Sequence, residues 1–481
     1  MKPFSSLSKR RVIAVDLDGT LVHTDLLLEN FFLFFRLYPL RVLEVLWWLL
    51  FGRAHLKRRL ASTVLPDVTG LPYNHELIDW LRCQRADGAW IVLATASDVR
   101  IAERVAEHLG IFDEVMGTDG VNLSSTQKKD ALVQRFGERG YEYVGDSLAD
   151  VPVWASASVT HIANPGLGVL SSAARVGLVG EFFQRDRPYL PVLFNALRVH
   201  HWTKNLLVFV PLAASHRLLE AQLFFSGCLA FVAFGLCASG VYLINDLLDL
   251  PDDRSHPTKR DRPLAAGHLP LLHALLLLPA LLCTALGIAI WLLPVAFAWE
   301  LAGYFFLTLF YSLWLKRVVM LDVVVLAVLY TARVVAGSVA MGLVTTFWIL
   351  AFCMFIFLSL ALIKRYTELR GARLSDRNET PSGRSYYLDD SDLLASLGAC
   401  SGYISVLVLA LYINDSATGT LYRSPQWMWA ACPLLLFWLS RAWLIAHRGQ
   451  MHHDPIVFAL RDTVSRWIGL LFVGVFALAS F

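Results

Sequence analysis

The apolar and polar positions divide this chain in two. From about residue 200 onward, long apolar runs recur at about 204–216, 221–248, 269–292, 295–315, 319–342, 346–364, 392–413, 427–446 and 464–481. A helix needs roughly 20 apolar residues to cross the ~30 Å hydrocarbon layer, so nine membrane spans are expected. The first run is short and reads as a broken or tilted helix. Before residue 190 the pattern is different: residues 11–15, 90–94 and 141–144 are strand-like, while 99–109 and 129–136 carry helical periodicity. Strands alternating with helices predict a parallel, doubly wound sheet. The polar stretch Gln184-Arg185-Asp186-Arg187-Pro188 separates the halves. The expected organisation is an α/β domain over 1–185, a linker over 186–200 and an all-α transmembrane bundle over 201–481.

Composition agrees with this division. The 481 residues are 56% hydrophobic and 17% charged, whereas soluble domains average about 25% charged. The net charge of +3 implies no polyanion-binding surface, and nucleic acid is not suggested. The seven cysteines form no C-x-x-C pair and read as small hydrophobes of core or bilayer. Residues 1–11 are basic but lead into a short strand rather than a long apolar segment, so no cleavable signal peptide is expected and the N-terminal domain should be cytoplasmic.

Each predicted strand ends in polar residues. The first runs into Asp16-Leu17-Asp18-Gly19-Thr20-Leu21, the second into Thr95-Ala96-Ser97, and the third into Gly145-Asp146-Ser147, with Asp150 four residues beyond Asp146. In doubly wound sheets such positions face the ligand crevice. The set suits phosphoryl transfer through an aspartyl phosphate. Asp16 can attack phosphorus, and Asp18 can protonate the leaving oxygen and then activate water. Asp146 can join Asp16 in holding Mg²⁺, with Asp18 as a further candidate ligand and Asp150 orienting the metal's water shell. Thr95 and Lys128 can bind the phosphoryl oxygens; Lys129 is the alternative to Lys128. In this order the four motifs resemble those of the haloacid dehalogenase (HAD) superfamily of phosphatases, over about residues 10–185. That resemblance implies a HAD-like (Rossmannoid) domain with a helical cap between the first two motifs, here about 26–60. Within it, residues 26–51 are rich in Phe, Trp and Leu and are followed by the basic run Arg53-Ala54-His55-Leu56-Lys57-Arg58-Arg59. The stretch is either a helix pair lying in a membrane interface or a cap helix buried against its own domain.

In the apolar half, basic residues gather in alternate loops: Lys259, Arg260 and Arg262; Lys316 and Arg317; Lys364, Arg365, Arg370, Arg373, Arg377 and Arg384; and Arg448. The positive-inside rule makes those loops cytoplasmic, which expects a multi-pass protein of the inner (cytoplasmic) membrane. The second span ends in Asn245-Asp246-Leu247-Leu248-Asp249-Leu250-Pro251-Asp252-Asp253. On one continuous helix, Asp246, Asp249 and Asp253 would share a face flanked by Asn245. Carboxylates at the mouth of a bilayer helix are costly unless a cation neutralises them, and this group suits Mg²⁺ bridging a diphosphate. Lys259, Arg260 and Arg262 offer charge to phosphate oxygens.

The N-D-x-x-D-x-x-x-D pattern resembles the UbiA superfamily of membrane transferases, which implies a nine-helix bundle. Most of that superfamily carry a second D-x-x-x-D motif; here the corresponding stretch, Tyr311-Ser312-Leu313-Trp314-Leu315-Lys316-Arg317, is followed by a single Asp322. At His201-Trp202-Thr203-Lys204-Asn205, at 242–267, 315–333 and 364–369, at Tyr387 and at 454–460, the chain is similar to the decaprenyl-phosphate phosphoribosyltransferases. That resemblance implies phosphoribosyl diphosphate as donor and a polyprenyl phosphate as acceptor. Lys204, Tyr311, Lys316, Asp322, Lys364 and Arg365 are then candidate substrate contacts, although positive-inside topology alone also explains the loop-edge cations. Fused to a phosphatase, such an enzyme is expected to remove the 5-phosphate and yield polyprenyl-phosphoryl ribose. Three other readings stand beside this one: a UbiA-type prenyltransferase with another acceptor, a non-catalytic HAD-like docking module, and a transporter. Oligomeric state has no signal in the sequence.

Overall fold

The computed structural model describes residues 10–120, 122–184, 188–215, 217–374, 386–415, 422, 424–451 and 454–480. The linker residues Arg185, Asp186 and Arg187, and the loop cations Arg377 and Arg384, lie outside them. The chain forms two compact units, one of residues 1–197 with 242–278 and the other of 198–241 with 279–481. Residues 242–278, which carry the acidic stretch, belong with the N-terminal unit.

The first unit is built on six parallel strands: β1 (Val12–Val15), β2 (Trp90–Asp98), β3 (Glu114–Thr118), β4 (Glu142–Gly145), β5 (Thr160–Ala163) and β6 (Val179–Phe183). Their order is β3-β2-β1-β4-β5-β6. Both faces of the sheet are covered, which is why β1 reads as an unbroken apolar run. Ile13 and Val15 enter one core with Ile91 and Leu93. Val12 and Ala14 enter the other with Val92 and Ala94, the two-residue alternation of a strand. The strand order reverses between β1 and β4, which register Ile13 against Glu142 and Val15 against Val144. A sheet of this order binds ligands outside the carboxyl ends of its strands at such a reversal.

Between β1 and β2 the chain forms α1 (Leu26–Leu37), α2 (Val42–Leu50), α3 (Arg53–Thr63) and α4 (His75–Ala86). Residues 26–51 thus form a pair of helices, α1 and α2, broken at Pro39, and the basic run that follows Gly52 forms α3. Asp25 caps α1, accepting from the Leu27 and Leu28 amides. Phe34, Val45, Leu56, Leu60 and Val64 close a small core. Val45 is the one buried residue of α2, whereas Leu40 is 95%, Leu43 71%, Trp47 62% and Leu50 77% exposed. The remaining helices are α5 (Val99–Leu109), α6 (Thr126–Phe136), α7 (Val151–Ser156), α8 (Val169–Val176) and α9 (Tyr189–Ala196).

The apolar half contributes α10 (Val210–Ala214), α11 (Ala221–Leu248), α12 (Leu250–Ser255), α13 (Leu271–Trp291), α14 (Val295–Leu313), α15 (Leu321–Met341), α16 (Phe347–Leu374), α17 (Ser391–Asn414), α18 (Ala431–His447), α19 (Pro455–Arg461) and α20 (Thr463–Ser480). Among the described residues, eight helices are long and apolar enough to cross a membrane, not nine. Within the run at 204–216, residues 204–214 lie in a 3-10 helix (Val199–Phe209) and the short α10. Pro211, which lacks an amide hydrogen, opens α10.

Candidate functional site

Two groups of polar side chains stand out in the first unit. At the β1–β4 reversal, Asp16, Asp146 and Asp150 each place a carboxylate oxygen within 4.8 Å of the others, the one such trio among the described residues. The Asp16 amide donates to the Val144 carbonyl (3.0 Å), which ties the end of β1 to β4. Gly19 has φ +77°, and a Cβ there would stand 2.1 Å from Asp146 Oδ2. The glycine after the second aspartate is therefore required by the close approach of Asp146, as well as by its backbone conformation.

Lys128, on α6 and only 2% exposed, lies 2.8 Å from Asp16 and 3.7 Å from Asp150. It also donates to the Tyr143 hydroxyl (2.9 Å), which in turn donates to Asp150 Oδ1 (2.9 Å). Asp150 Oδ2 accepts from the Asp146 amide and from the amide and hydroxyl of Ser147. Burial, together with the neighbouring Asp150 and Asp16 charges, pushes Asp146 well above the usual carboxylate range. Asp16 is raised chiefly by burial, against the pull of Lys128. Three carboxylates facing one ammonium form a hard-oxygen donor set short of positive charge, which fits a divalent cation such as Mg²⁺.

Asp18, the further candidate ligand, stands outside this trio. Its carboxylate accepts from the Ser97 hydroxyl (2.6 Å) and from the Leu26 amide (2.8 Å). Burial, with the Asp25 charge next, pushes it up to about 7, a value suited to giving and taking a proton near neutrality. Thr95 is buried, and its hydroxyl accepts from the Ser97 amide (2.9 Å). Sequence reasoning missed three residues here. Ser97 holds Asp18, and its place at the strand end was the available signal. Tyr143 joins Lys128 to Asp150 but reads in the sequence as one more residue of a buried strand. Lys57, from α3, donates to the Ala96 carbonyl (2.7 Å) and to Asn122 (3.0 Å); within a basic run nothing singled it out.

The second group is the acidic motif. Its three aspartates do not share one continuous helix: α11 ends at Leu248, and Asp249 opens α12 with Pro251 in the first turn. Asp246 and Asp253 nevertheless face each other, because Arg262 Nη1 donates to both, at 3.2 and 2.6 Å. Burial raises Asp253, against the pull of Arg262. Asn245, Asp249 and Lys259 are half-buried and Arg260 is exposed.

In the second unit the candidate residues fall into two networks. Lys204 and Lys364 converge on one oxygen of Asp454, at 2.8 and 3.3 Å, and the two cations hold that carboxylate well below its usual range despite burial. Asp322 is fully buried against Arg365 (2.5 Å) and accepts from the Tyr386 hydroxyl (2.5 Å). Arg365 also reaches Glu368 and Tyr311. The lone carboxylate at the place of a second acidic motif is thus already paired. Lys316 is half-buried.

With this geometry in view, similarity to known proteins places the chain. Residues 206–478 match the UbiA prenyltransferase family, and the chain belongs to it. It is similar to the uncharacterized protein y4nM of Sinorhizobium fredii, at 38% identity over 96% of this chain and 90% of that one, so the similarity runs through both halves. It is also similar to nodulation protein NoeC of Azorhizobium caulinodans, at 37% identity over 56% of this chain and 86% of that one. The decaprenyl-phosphate phosphoribosyltransferase of Mycolicibacterium smegmatis is 32% identical over 60% of this chain and 92% of its own length.

Proposed function

We propose that this protein transfers 5-phosphoribose from phosphoribosyl diphosphate to a polyprenyl phosphate, and that its α/β domain, of HAD type, then removes the 5-phosphate. The product is a polyprenyl-phosphoryl ribose. The observation that carries the first step is the state of Asp322. With Arg365 and Tyr386 on it, a single acidic motif is left for a diphosphate leaving group, in keeping with the name of the phosphoribosyltransferase relative and unlike a two-motif prenyltransferase. The second step rests on the trio of Asp16, Asp146 and Asp150 around Lys128.

Asp246, Asp249 and Asp253 would hold Mg²⁺ at the diphosphate, and Asp16, Asp146 and Asp150 would hold it at the phosphomonoester. At both, Mg²⁺ supplies neutralisation of phosphate charge. In transfer, the bond from ribose C1 to the diphosphate oxygen breaks and the lipid phosphate oxygen bonds to C1. Lys204 and Lys364, two cations sharing one carboxylate, leave net positive charge for a phosphate group. In hydrolysis, Asp16 bonds to phosphorus as the ester oxygen departs with the Asp18 proton. Asp18 then takes a proton from the water that releases phosphate. Lys128 steadies Asp16 in the attacking geometry.

Thermal protection tests this reading, since a ligand that binds only the folded state raises its stability. With Mg²⁺, phosphoribosyl diphosphate should protect the protein, and Asp249→Ala should abolish that protection while Asp16→Asn leaves it intact. Protection by a short prenyl diphosphate, and none by the sugar diphosphate, would replace this reading with prenyl transfer to another acceptor.

A further inference from the structure

The acidic motif is docked on the helical insert of its own unit through contacts that neither proposed reaction uses. Glu29, in the first turn of α1, and Arg254, immediately after Asp253, form a two-pronged ion pair. Arg254 Nη2 lies 2.6 Å from one Glu29 oxygen and Nη1 2.8 Å from the other. The two side chains are only 6% and 8% exposed.

Each partner is tied further into its own surroundings. Glu29 accepts from the Thr24 hydroxyl (2.5 Å), and the Thr24 carbonyl accepts from the Gly19 amide (3.3 Å) in the loop that carries Asp16 and Asp18. Arg254 Nε donates to the Ala265 carbonyl (3.0 Å), which fixes the loop that carries Arg262. Beside this pair, Arg36 of α1 bonds Asp252 (2.7 Å). The backbone also comes close: Gly267 has φ +65°, and a Cβ there would stand 2.6 Å from the His23 carbonyl oxygen.

A buried ion pair is costly to desolvate and is a poor source of stability, but a two-pronged arginine fixes orientation as a single contact does not. The pair joins positions 225 residues apart. One end lies next to Asp253 and the other in the first turn of the helix whose Leu26 amide binds Asp18. We infer that Glu29 and Arg254 are positioning residues for transfer: the insert of the phosphatase-like domain is the platform that sets where Asp249 and Asp253 stand. This rests on the reading of the acidic motif as the diphosphate site.

The test uses the full chain in lipid nanodiscs and four variants: Glu29→Gln, Arg254→Met, the two combined, and Gly267→Ala. Glutamine keeps an acceptor for Thr24, the double variant leaves no buried charge unpaired, and Gly267→Ala breaks the docking without changing charge. Three quantities are read: the Mg²⁺ dependence of diphosphate release from phosphoribosyl diphosphate with a polyprenyl phosphate as acceptor, hydrolysis of p-nitrophenyl phosphate, and hydrogen exchange of residues 249–267. Every variant should raise the half-maximal Mg²⁺ concentration for diphosphate release at least tenfold. Phosphomonoester hydrolysis should stay within twofold, and exchange of 249–267 should quicken. The double variant should lose no more than the worse single. An unchanged Mg²⁺ requirement, or losses that multiply in the double variant, would overturn the inference. If the parent protein releases no diphosphate, the functional reading fails on its own. Exchange then decides the docking, supported by faster exchange in Gly267→Ala and overturned by unchanged protection.

Discussion

Replacing Lys128 by methionine is the sharpest perturbation of the carboxylate trio. The ammonium lies 2.8 Å from Asp16 and 3.7 Å from Asp150. At an effective dielectric of about 20 these separations correspond to attractions of about 6 and about 4 kcal/mol. Those values are not the net loss, because carboxylates left without the lysine take up protons. Breaking a buried pair from one side typically costs about 3–5 kcal/mol, which for a domain of this size lowers the melting temperature by roughly 10 °C. Loss of a positioned charge at the phosphoryl group should lower phosphate release by about 10²–10³-fold. Mg²⁺ can displace those protons and take the place of the lost ammonium among the carboxylates, so saturating Mg²⁺ should restore part of the lost stability. The assay is p-nitrophenyl phosphate hydrolysis beside thermal unfolding, each over a Mg²⁺ titration. A Lys128→Met protein that hydrolyses at the parent rate would refute the reasoning. So would a loss of stability that saturating Mg²⁺ leaves unchanged, which would assign the lysine to structure alone.

Three further outcomes are expected. Asp249→Ala should remove diphosphate release and spare p-nitrophenyl phosphate hydrolysis, and loss of both activities would mean one shared site or a folding failure. The exposed face of α2, with Leu43, Leu46, Trp47 and Leu50, should lie in lipid; a fluorophore on Leu46→Cys, in a cysteine-free full-length protein in nanodiscs, should be quenched by brominated acyl chains, whereas a purely aqueous emission would place α2 in water. Glu142 is held down at about 2, where hydrogen bonds from His161 and Arg11 outweigh burial. A folded value below the ordinary 4.5 means that its stabilisation is present above pH 4.5 and is lost as pH falls toward 2. Glu142→Gln should therefore flatten the acid-side loss of stability between those values, and an unchanged slope would count against the pairing.

Much of the α/β domain was legible because its signals are local. Each of β1, β2 and β4 is a short apolar run that ends in the polar residues that make the site, and one strand order brings Asp16 and Asp146 side by side. The boundaries were less so: β2 continues through Thr95 and Ser97 to Asp98, because polar side chains at a buried strand end look like a loop when read alone. Pairings across the sequence left no trace. Arg365 and Asp322 are 43 residues apart, and each reads by itself as a substrate contact. The spacing of the acidic motif allows one continuous helix; Pro251 is the signal that the helix breaks at Asp249. Membrane spans were clear from apolar length. The run at 204–216 failed as a span because a proline at 211 interrupts a stretch already too short to bridge the bilayer.

The central claim is most directly tested by the mass of the lipid product. Full-length protein is incubated with phosphoribosyl diphosphate, a polyprenyl phosphate and Mg²⁺, and the lipids are weighed by mass spectrometry. The parent protein should yield polyprenyl-phosphoryl ribose, and Asp16→Asn should stop one phosphate heavier, at the 5-phosphorylated lipid. A polyprenyl phosphate returned unchanged, with a prenyl diphosphate consumed in its place when both are offered, would contradict the account.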